Sequence, residues 1–231
     1  MIDFAQIEDQ AALRHGGREA LRSMVQWPLA PEQIARIADD RWLSAASKIV
    51  FQAGFNWDQM EKKWPAFEDA FGSFHLDACA ALSDEQLEDK MATGKLVRHW
   101  AKMKSIPANA TFFADLVREH GSMGQFFSRW DVHNYGEQLL FLQKHGNRLG
   151  GKTAAIWLRR MGVDAIIMTP SVEKALQEFG VLDKAPSSRK AWMAFQPVLD
   201  AWLDETGESL NYISQVLARS SGELYQPNIT E

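Results

Sequence analysis

Apolar residues recur at every third or fourth position along most of the chain, which is the spacing of one buried face of an α-helix. The clearest of these stretches are Ile34–Phe51, Val97–His120, Ala154–Met161 and Ala191–Leu203. Strand-like alternation of apolar and polar positions is rare. The pattern therefore predicts an all-α protein of about ten helices, and it contains no internal repeat or low-complexity segment.

Several residues indicate where helices begin. Ser83 is followed three residues later by Gln86, and this spacing predicts a capping box. Ser209 is a second predicted N-cap, and Pro31 suits the first turn of a helix. Val163–Met168 is the one short apolar run with a β-like composition. It fits a strand, a short helix or an extended connector, and the sequence leaves these three open.

Composition narrows the class of protein. The chain has 231 residues, of which 46% are hydrophobic and 24% charged, as is usual for a globular protein that buries one sizeable core. No apolar run approaches the length of a membrane span, and the first ten residues are acidic where a signal peptide is basic and then apolar. We therefore expect a cytoplasmic protein with no membrane partner. The single cysteine, Cys79, excludes an intrachain disulfide.

A glycine-rich turn joins two predicted helices. Gly136–Lys144 is predicted to be the first helix, and Lys152 and Thr153 open the second. The turn between them contains three glycines, Gly146, Gly150 and Gly151. One interpretation is an ordinary corner between two helices. The other is a hairpin whose unpaired backbone N–H groups bind an anion such as a DNA phosphate, because they lie at a helix N-terminus.

The net charge of −5 is not typical of a DNA-binding protein, but the charges are unevenly distributed. Two segments lack acidic residues, one between Asp89 and Asp115 and one between Glu137 and Asp164. Their basic residues are Lys90, Lys95, Arg98, Lys102 and Lys104 in the first segment and Lys144, Arg148, Lys152, Arg159 and Arg160 in the second. Two basic segments suit an enzyme that binds one face of a duplex, although each could also be a solvated helix face.

A short motif makes the hypothesis more specific. Gln52–Trp57 reads QAGFNW and resembles the Gln-Ala-Gly-x-Ser-Trp signature of the bacterial 3-methyladenine DNA glycosylase I family. Leu96–Lys102 and Ala108–Ala110 resemble that family's Ile-Ile-Arg-His-x-x-Lys and Asn-Ala patterns, in the same order. The glycine-rich turn looks like the helix-hairpin-helix element of DNA glycosylases. The resemblance covers roughly Asp39–Gly180.

The resemblance implies a fold and a function. The fold would be all-α and helix-hairpin-helix DNA glycosylase-like, in two lobes with a flipped-base pocket between them. Residues 1–38 would be an N-terminal helical extension, 39–220 the glycosylase-like domain with its hairpin at about 136–160, and 221–231 a C-terminal tail. The activity would be monofunctional excision of alkylated bases of the 3-methyladenine type from double-stranded DNA, by base flipping in base-excision repair. We expect a monomer that uses no cofactor and associates with the nucleoid while it scans DNA.

The resemblance also implies a base-binding site. Trp57 matches the family tryptophan that lies against the extruded base, although a core position is the commoner fate of a tryptophan. Gln52 and Asn56 could offer amide groups to the base edge, and Phe55 lies between them; for Asn56, a helix cap is the alternative. Ile49 stands where the family has the carboxylate that reads methylated adenine.

A second set of residues is expected to bind the DNA backbone. Arg98 and Lys102 are four residues apart and are predicted to share a helix face, with Lys95 one turn earlier. The hairpin is expected to add five further contacts, namely Arg148, Gly150, Gly151, Lys152 and Thr153.

The chain departs from its relatives in three ways. Ile49 cannot pair with a cationic base, so the resemblance does not determine which base is preferred. The zinc site of the family needs two cysteines, and this chain has only Cys79, so we expect no metal. The resemblance to the wider helix-hairpin-helix superfamily of glycosylases places Thr169 where those enzymes have a catalytic aspartate. Thr169 is expected instead to cap the helix that begins at Pro170. The sequence therefore does not identify the catalytic group. The alternatives are a DNA-binding protein that has lost catalysis and a purely structural helical module.

Overall fold

The computed structural model describes residues 2–221, and these residues form fifteen α-helices and two 3₁₀ helices. The first seven α-helices are α1 Phe4–Arg14, α2 Arg18–Ser23, α3 Pro31–Ile34, α4 Asp39–Gln52, α5 Trp57–Ala70, α6 Leu76–Ala80 and α7 Asp84–Ala92. The other eight are α8 Trp100–Met103, α9 Ser105–His120, α10 Met123–Phe127, α11 Tyr135–His145, α12 Thr153–Arg160, α13 Pro170–Glu178, α14 Arg189–Thr206 and α15 Leu210–Ser220. The 3₁₀ helices are Gly72–Phe74 and Val132–Asn134.

The all-α class predicted from the sequence is confirmed, since the described residues contain no strand. Ten of the α-helices have eight or more residues, and the other five have four to six. The predicted number of about ten thus counts the helices that are long enough to show a periodic pattern. The predicted C-terminal tail lies almost entirely outside the described residues. No helix within residues 2–221 combines the length and the apolar character that a membrane span requires.

The predicted helix starts are confirmed. The Ser83 hydroxyl accepts a hydrogen bond from the Gln86 amide, and the Gln86 side chain accepts one from the Ser83 amide, which completes the capping box. Ser209 caps α15, and Pro31 is the first residue of α3. Thr169 caps α13 by accepting a hydrogen bond from the third amide of the helix. These predictions are correct because helix capping depends only on residues that are close in the sequence.

The chain divides into two compact units. Unit 1 consists of the residues up to Pro28, Asp131–Glu137 and the residues from Asp164 on. Its interior is aromatic: the Phe4 ring lies 5.4 Å from that of Trp202 and 6.4 Å from that of Tyr212. α1 packs on α14 and α15 in this way, so the two ends of the described chain are held in one core.

Val163–Met168 forms neither a strand nor a helix, so it is the extended connector among the three alternatives. Its residues are buried, and buried backbone groups need hydrogen-bond partners. Side chains supply several of these: the Ala165 amide donates to Asn211 Oδ1 at 2.9 Å, and the Ile167 amide donates to Ser214 Oγ at 3.0 Å. A sequence pattern does not reveal such long-range pairing, and this is why the segment was ambiguous.

Unit 2 consists of Leu29–Trp130 and Gln138–Val163, and its centre is α4. The buried Trp42 ring stacks on Phe127 at 4.5 Å and meets the edge of Trp157 at 5.9 Å. The indole N–H of Trp157 also donates to the Trp42 carbonyl at 3.2 Å. α12 is therefore fixed against α4, and this packing sets the position of the end of α12 beside the end of α4.

Candidate functional site

The turn between α4 and α5 exposes two aromatic side chains. Gly54 has a φ of 77°, a left-handed conformation that glycine adopts at little cost. Asn56 Oδ1 then accepts a hydrogen bond from a first-turn amide of α5 at 3.0 Å, so Asn56 is a helix cap. Phe55, between Gly54 and Asn56, is 39% exposed, and Trp57, directly after Asn56, is 46% exposed. Trp57 is therefore not part of the core, and the alternative of a buried tryptophan is excluded.

Arg160, the last residue of α12, covers one face of Trp57. Its guanidinium carbon lies 4.7 Å from the centroid of the indole, within the range of a cation–π contact. Within residues 2–221, no other aromatic ring packs against Trp57. The tryptophan thus has a planar cation as its stacking partner.

Gln52 is fully buried and holds Arg160 in place. Its amide oxygen accepts a hydrogen bond from Arg160 Nη1 at 2.7 Å, and its amide nitrogen donates to Glu61 Oε1 at 2.9 Å. Both ends of the Gln52 amide are therefore used within the protein. This geometry suits a residue that positions Arg160 and Glu61 better than one that reads a base edge directly.

Glu61 connects two cations. Lys48 Nζ donates to Glu61 Oε2 at 2.7 Å, and Arg160 Nη1 lies 3.9 Å from Glu61 Oε1. The hydrogen bond from Lys48 is the main cause that lowers the pKa of Glu61, so this carboxyl group stays ionised. We call Trp57, Arg160, Gln52, Glu61 and Lys48 the Trp57 cluster. It contains two positive groups and one carboxylate.

Ile49 lies three residues before Gln52 on α4 and is 3% exposed. The position at which the sequence resemblance implied a base-reading carboxylate is therefore filled by a buried aliphatic side chain. It offers no polar atom to a ligand.

The prediction that Lys102 contacts a DNA phosphate is wrong for this structure. Lys102 is 4% exposed, and its ammonium donates to the carbonyls of Phe51 at 3.1 Å and Ala53 at 2.5 Å. It also lies 4.3 Å from the Phe55 ring centroid. Burial lowers the pKa of Lys102, and the charge of Arg148 adds to this effect. Lys102 therefore binds the carbonyl end of α4, where the helix dipole favours a cation.

Arg98 does not share a helix face with Lys102. The predicted helix Val97–His120 is interrupted, because Arg98 lies in an irregular segment and α8 begins only at Trp100. His99 ends that segment by accepting a hydrogen bond at Nδ1 from the Lys102 amide at 3.4 Å. Arg98 is exposed, so it still presents its charge to solvent.

α11 and α12 form the predicted hairpin, joined by residues 146–152. Gly146 is required by packing, because a Cβ there would lie 2.7 Å from the backbone carbonyl oxygen of Leu142. Gly151 is required by its φ of 56°. Gly150 has neither constraint, and a Cβ there would meet no atom within 4 Å. Of the three glycines, only Gly151 thus has a left-handed backbone conformation.

Asn109 anchors the hairpin loop. Its side chain is fully buried; Oδ1 accepts from the Asn147 amide at 2.7 Å, and Nδ2 donates to the Asn147 carbonyl at 3.0 Å. Beside it, Arg148 has a φ of 61°, unusual for a residue with a side chain, and its Nε donates to the Ala101 carbonyl at 3.0 Å. The loop is therefore fixed by two polar contacts to α8 and α9.

The end of the loop presents unpaired backbone donors. The amides of Gly150, Gly151 and Lys152 have no hydrogen-bond acceptor among residues 2–221, and all three residues are exposed. The Thr153 amide donates back to the Gly150 carbonyl at 3.1 Å. Three free N–H groups before the first turn of α12, with the Lys152 side chain beside them, form a site that suits an anion.

The described residues contain no group of three or more His, Cys, Asp or Glu side chains placed to hold a metal ion. Cys79 is buried, and burial raises its pKa to about 11, so it is a thiol and not a thiolate ligand at neutral pH.

Sequence reasoning missed four residues of these sites, namely Glu61, Lys48, Arg160 and Asn109. Glu61 lies four residues after Trp57 on α5, and this spacing puts both on one helix face, a signal that was available. Arg160 was seen only as one charge of a basic segment. Asn109 was seen only as part of a motif, and nothing in its surroundings indicates a partner 38 residues away.

The fold is similar to that of two solved 8-oxoguanine DNA glycosylases. The 8-oxoguanine DNA glycosylase of Thermotoga maritima is 17% identical to the chain with a TM-score of 0.55, and the match covers 92% of this chain and 94% of that chain. The 8-oxoguanine DNA glycosylase of Methanocaldococcus jannaschii is 16% identical with a TM-score of 0.55, and 91% of each chain is covered. The chain therefore has the helix-hairpin-helix DNA glycosylase fold, as its sequence predicted.

Part of the chain also matches a protein family. The methyladenine glycosylase family matches residues 46–145, from the middle of α4 to the end of α11. This region contains most of the Trp57 cluster and Asn109, but it ends before the loop residues Arg148–Thr153 and before Arg160. No protein with a curated description matches the chain. Similarity to methyladenine glycosylases is thus limited to this region, whereas the glycosylase fold extends over most of the chain.

Proposed function

We propose that the protein is a DNA glycosylase that flips a damaged base out of double-stranded DNA and hydrolyses its N-glycosidic bond. One observation carries this proposal: Trp57, at the position of the family's stacking tryptophan, is exposed at the start of α5 and held beside a charged cluster. An exposed indole costs hydrophobic free energy, which is recovered when a flat ligand stacks on it.

The Trp57 cluster suits the binding of an extruded base. Stacking on an aromatic ring contributes on the order of 1–3 kcal/mol per base. Since Arg160 covers one face of Trp57, the base would stack on the opposite face or displace the guanidinium. Phe55, exposed in the same turn, would contribute apolar surface beside the base.

The hairpin would hold the duplex. The free amides of Gly150, Gly151 and Lys152 and the charges of Lys152 and Arg148 would bind phosphates, with Arg98 as a further contact from the segment before α8. The absence of a side chain at Gly150 lets the DNA backbone come close to these amides. Thr153 would contribute through its place at the first turn of α12.

We propose alkylated purines as the substrates, because the matched family is that of the methyladenine glycosylases. The bond between the sugar and an alkylated base is often weak, so a modest site suffices for its hydrolysis. The protein would act in base-excision repair as a cytoplasmic monomer that associates with the nucleoid while it scans DNA. It would be monofunctional and would leave an intact strand with an abasic site.

The test is release of free base from damaged duplexes. Duplexes that carry N3-methyladenine, N7-methylguanine, 1,N6-ethenoadenine or 8-oxoguanine are incubated with the protein, and the released base is resolved by chromatography. We expect release of an alkylated base with no strand cleavage. Preferential release of 8-oxoguanine would overturn the proposed substrate class, and strand cleavage would overturn the monofunctional assignment. If no base is released while duplex binding persists, the protein is a non-catalytic DNA-binding protein.

A further inference from the structure

We propose that Arg160, together with the absence of a carboxylate at Ile49, makes the base-binding site select neutral alkylated bases over cationic ones. This inference rests on the proposed glycosylase function and names the substrate class of that site. It follows from the charges that surround Trp57.

The charge that lies over the Trp57 ring is positive. The guanidinium carbon of Arg160 lies 4.7 Å from the ring centroid, on the ring face itself. A cationic base stacked on the other face of Trp57 would be separated from the Arg160 cation only by the indole ring. A cationic base that displaced Arg160 from the ring would still have the guanidinium as a neighbour. Like charges at such distances repel strongly where water is partly excluded.

Among residues 2–221, Glu61 is the only carboxylate in contact with this arginine, and it is already paired. Glu61 binds Lys48 at 2.7 Å and Gln52 at 2.9 Å, and it lies 3.9 Å from Arg160. Two cations against one carboxylate leave the cluster with a net positive charge. The exposed Asp58 next to Trp57 forms no hydrogen bond or ion pair with the cluster.

The arginine is fixed in this place. Its Nη1 donates to the buried Gln52 at 2.7 Å, and its side chain is about one-third exposed. The positive charge at the site is therefore a stable feature of the end of α12. At Ile49, the aliphatic side chain removes the negative charge that could offset it.

A neutral base avoids this repulsion and gains from Arg160. The guanidinium can donate hydrogen bonds to the ring nitrogens of a neutral lesion, whereas the positive charge of a cationic base weakens the acceptors that the base retains. The site thus favours lesions such as 1,N6-ethenoadenine over N7-methylguanine, even though the glycosidic bond of the cationic base is weaker.

The experiment measures single-turnover release from two duplexes that differ only in the lesion, one with N7-methylguanine and one with 1,N6-ethenoadenine, each corrected for spontaneous loss. The quantity of interest is the ratio of the cationic rate to the neutral rate. Arg160→Gln should raise this ratio on the order of tenfold, because it removes one charge and retains a polar side chain. Arg160→Lys, which keeps the charge, should leave the ratio as in the parent.

Arg22→Gln is the matched control, because the Arg22 guanidinium carbon lies 5.2 Å from the centroid of Trp27, another exposed tryptophan, on unit 1. It should change neither rate. Circular dichroism melting checks that each variant folds. An unchanged ratio in a folded Arg160→Gln protein, or a ratio raised equally by Arg160→Lys, would overturn the proposal.

The failure of the proposed function is a separate result. If the parent releases neither base, the glycosylase function is wrong, and fluorescence anisotropy with the same two duplexes then tests the charge preference alone. Tighter binding of the parent to the neutral lesion, lost in Arg160→Gln, would support the inference. Equal affinities in parent and variant would refute it.

Discussion

The Trp57 cluster and the hairpin loop at residues 146–152 both lie in unit 2, yet they present different groups to a ligand. The cluster presents side chains: an exposed indole, a guanidinium and a carboxylate held by a buried amide. The hairpin presents backbone groups: three amides that have no acceptor among residues 2–221, and Gly150, where a side chain would meet no neighbouring atom. A side-chain site can distinguish one base from another, whereas backbone amides bind any phosphate.

Because one site presents side chains and the other presents backbone amides, the two sites are expected to have separate roles. A base reaches Trp57 only after it leaves the stack, so the cluster should affect base release and leave the affinity for intact duplex unchanged. The hairpin should affect the affinity for every duplex by a similar factor. A variant at one site that alters the property assigned to the other site would therefore contradict these separate roles.

The largest effect is expected for Trp57→Ala. This change removes the stacking surface, so release of damaged base should fall by about tenfold to a hundredfold, as the loss of 1–3 kcal/mol implies. Duplex affinity and melting temperature should stay near those of the parent, because Trp57 is exposed. Single-turnover release, anisotropy and circular dichroism measure the three properties.

Trp27→Ala is the matched control for this variant. Trp27 is 41% exposed and also lies beside an arginine, but its ring stacks on the buried Tyr212 at 5.5 Å. It should lower stability and leave the release rate of the folded protein unchanged. If Trp57→Ala instead unfolds the protein and Trp27→Ala abolishes release, the assignment of the base-binding site is wrong.

The second largest effect is expected for substitutions in the hairpin loop. Arg148→Glu combined with Lys152→Glu should weaken binding to all duplexes alike, whatever their sequence or lesion. The plot of log affinity against log salt should also become less steep, by roughly two if each residue contacts one phosphate. Anisotropy titrations at several salt concentrations measure both.

Lys104→Glu is a control that changes a charge outside the hairpin, on a side chain that already pairs with Asp84 at 3.0 Å. It should reduce affinity much less than the double variant. Identical isotherms for the parent and the double variant would mean that residues 146–152 are an ordinary corner between two helices.

A smaller effect is expected for Ile49→Glu. A carboxylate at this position should raise the release of N7-methylguanine a few-fold relative to 1,N6-ethenoadenine, because a negative charge in a site of low dielectric favours a cationic base. Ile49 is buried, so the variant should also be less stable and its new carboxyl group should have a raised pKa. Ile49→Gln has a similar size and no charge, and it should lower stability without altering the ratio of release rates. An equal ratio in both variants would show that this position does not face the base.

The sequence predicted most of the fold and only part of the sites. Helix caps such as Ser83 and Thr169 were correct because capping depends on residues three positions apart. Lys102 was assigned to DNA because a lysine four residues from an arginine suggests one basic helix face. The helix begins only at Trp100, and two carbonyls from a segment about 50 residues away take up the ammonium. Glu61 and Arg160 become partners only when α12 packs on α4, and no local pattern contains that information.

The smallest effect is expected from metal chelation, which should change neither the melting temperature nor the circular dichroism spectrum. The resemblance seen in the sequence implied a zinc site in the family, for which this chain lacks the cysteines; here α1 is held by apolar packing and by a carboxylate. Glu205 accepts hydrogen bonds from the Phe4 amide at 2.8 Å and the Ala5 amide at 2.9 Å, at the start of α1. The Phe4 ring lies against Trp202 beneath this contact. A core of this kind supplies the stability that a structural metal would otherwise supply.

Phe4→Ala tests that explanation beside the chelation experiment. The Phe4 side chain is fully buried, so its removal should destabilise unit 1 by about 3–5 kcal/mol, measured by urea unfolding. Elemental analysis of the parent should find no stoichiometric zinc. Zinc at one ion per chain, together with unfolding on chelation, would mean that ligands outside the described residues complete a metal site. A Phe4→Ala protein as stable as the parent would mean that the packing of α1 does not hold the ends of the chain.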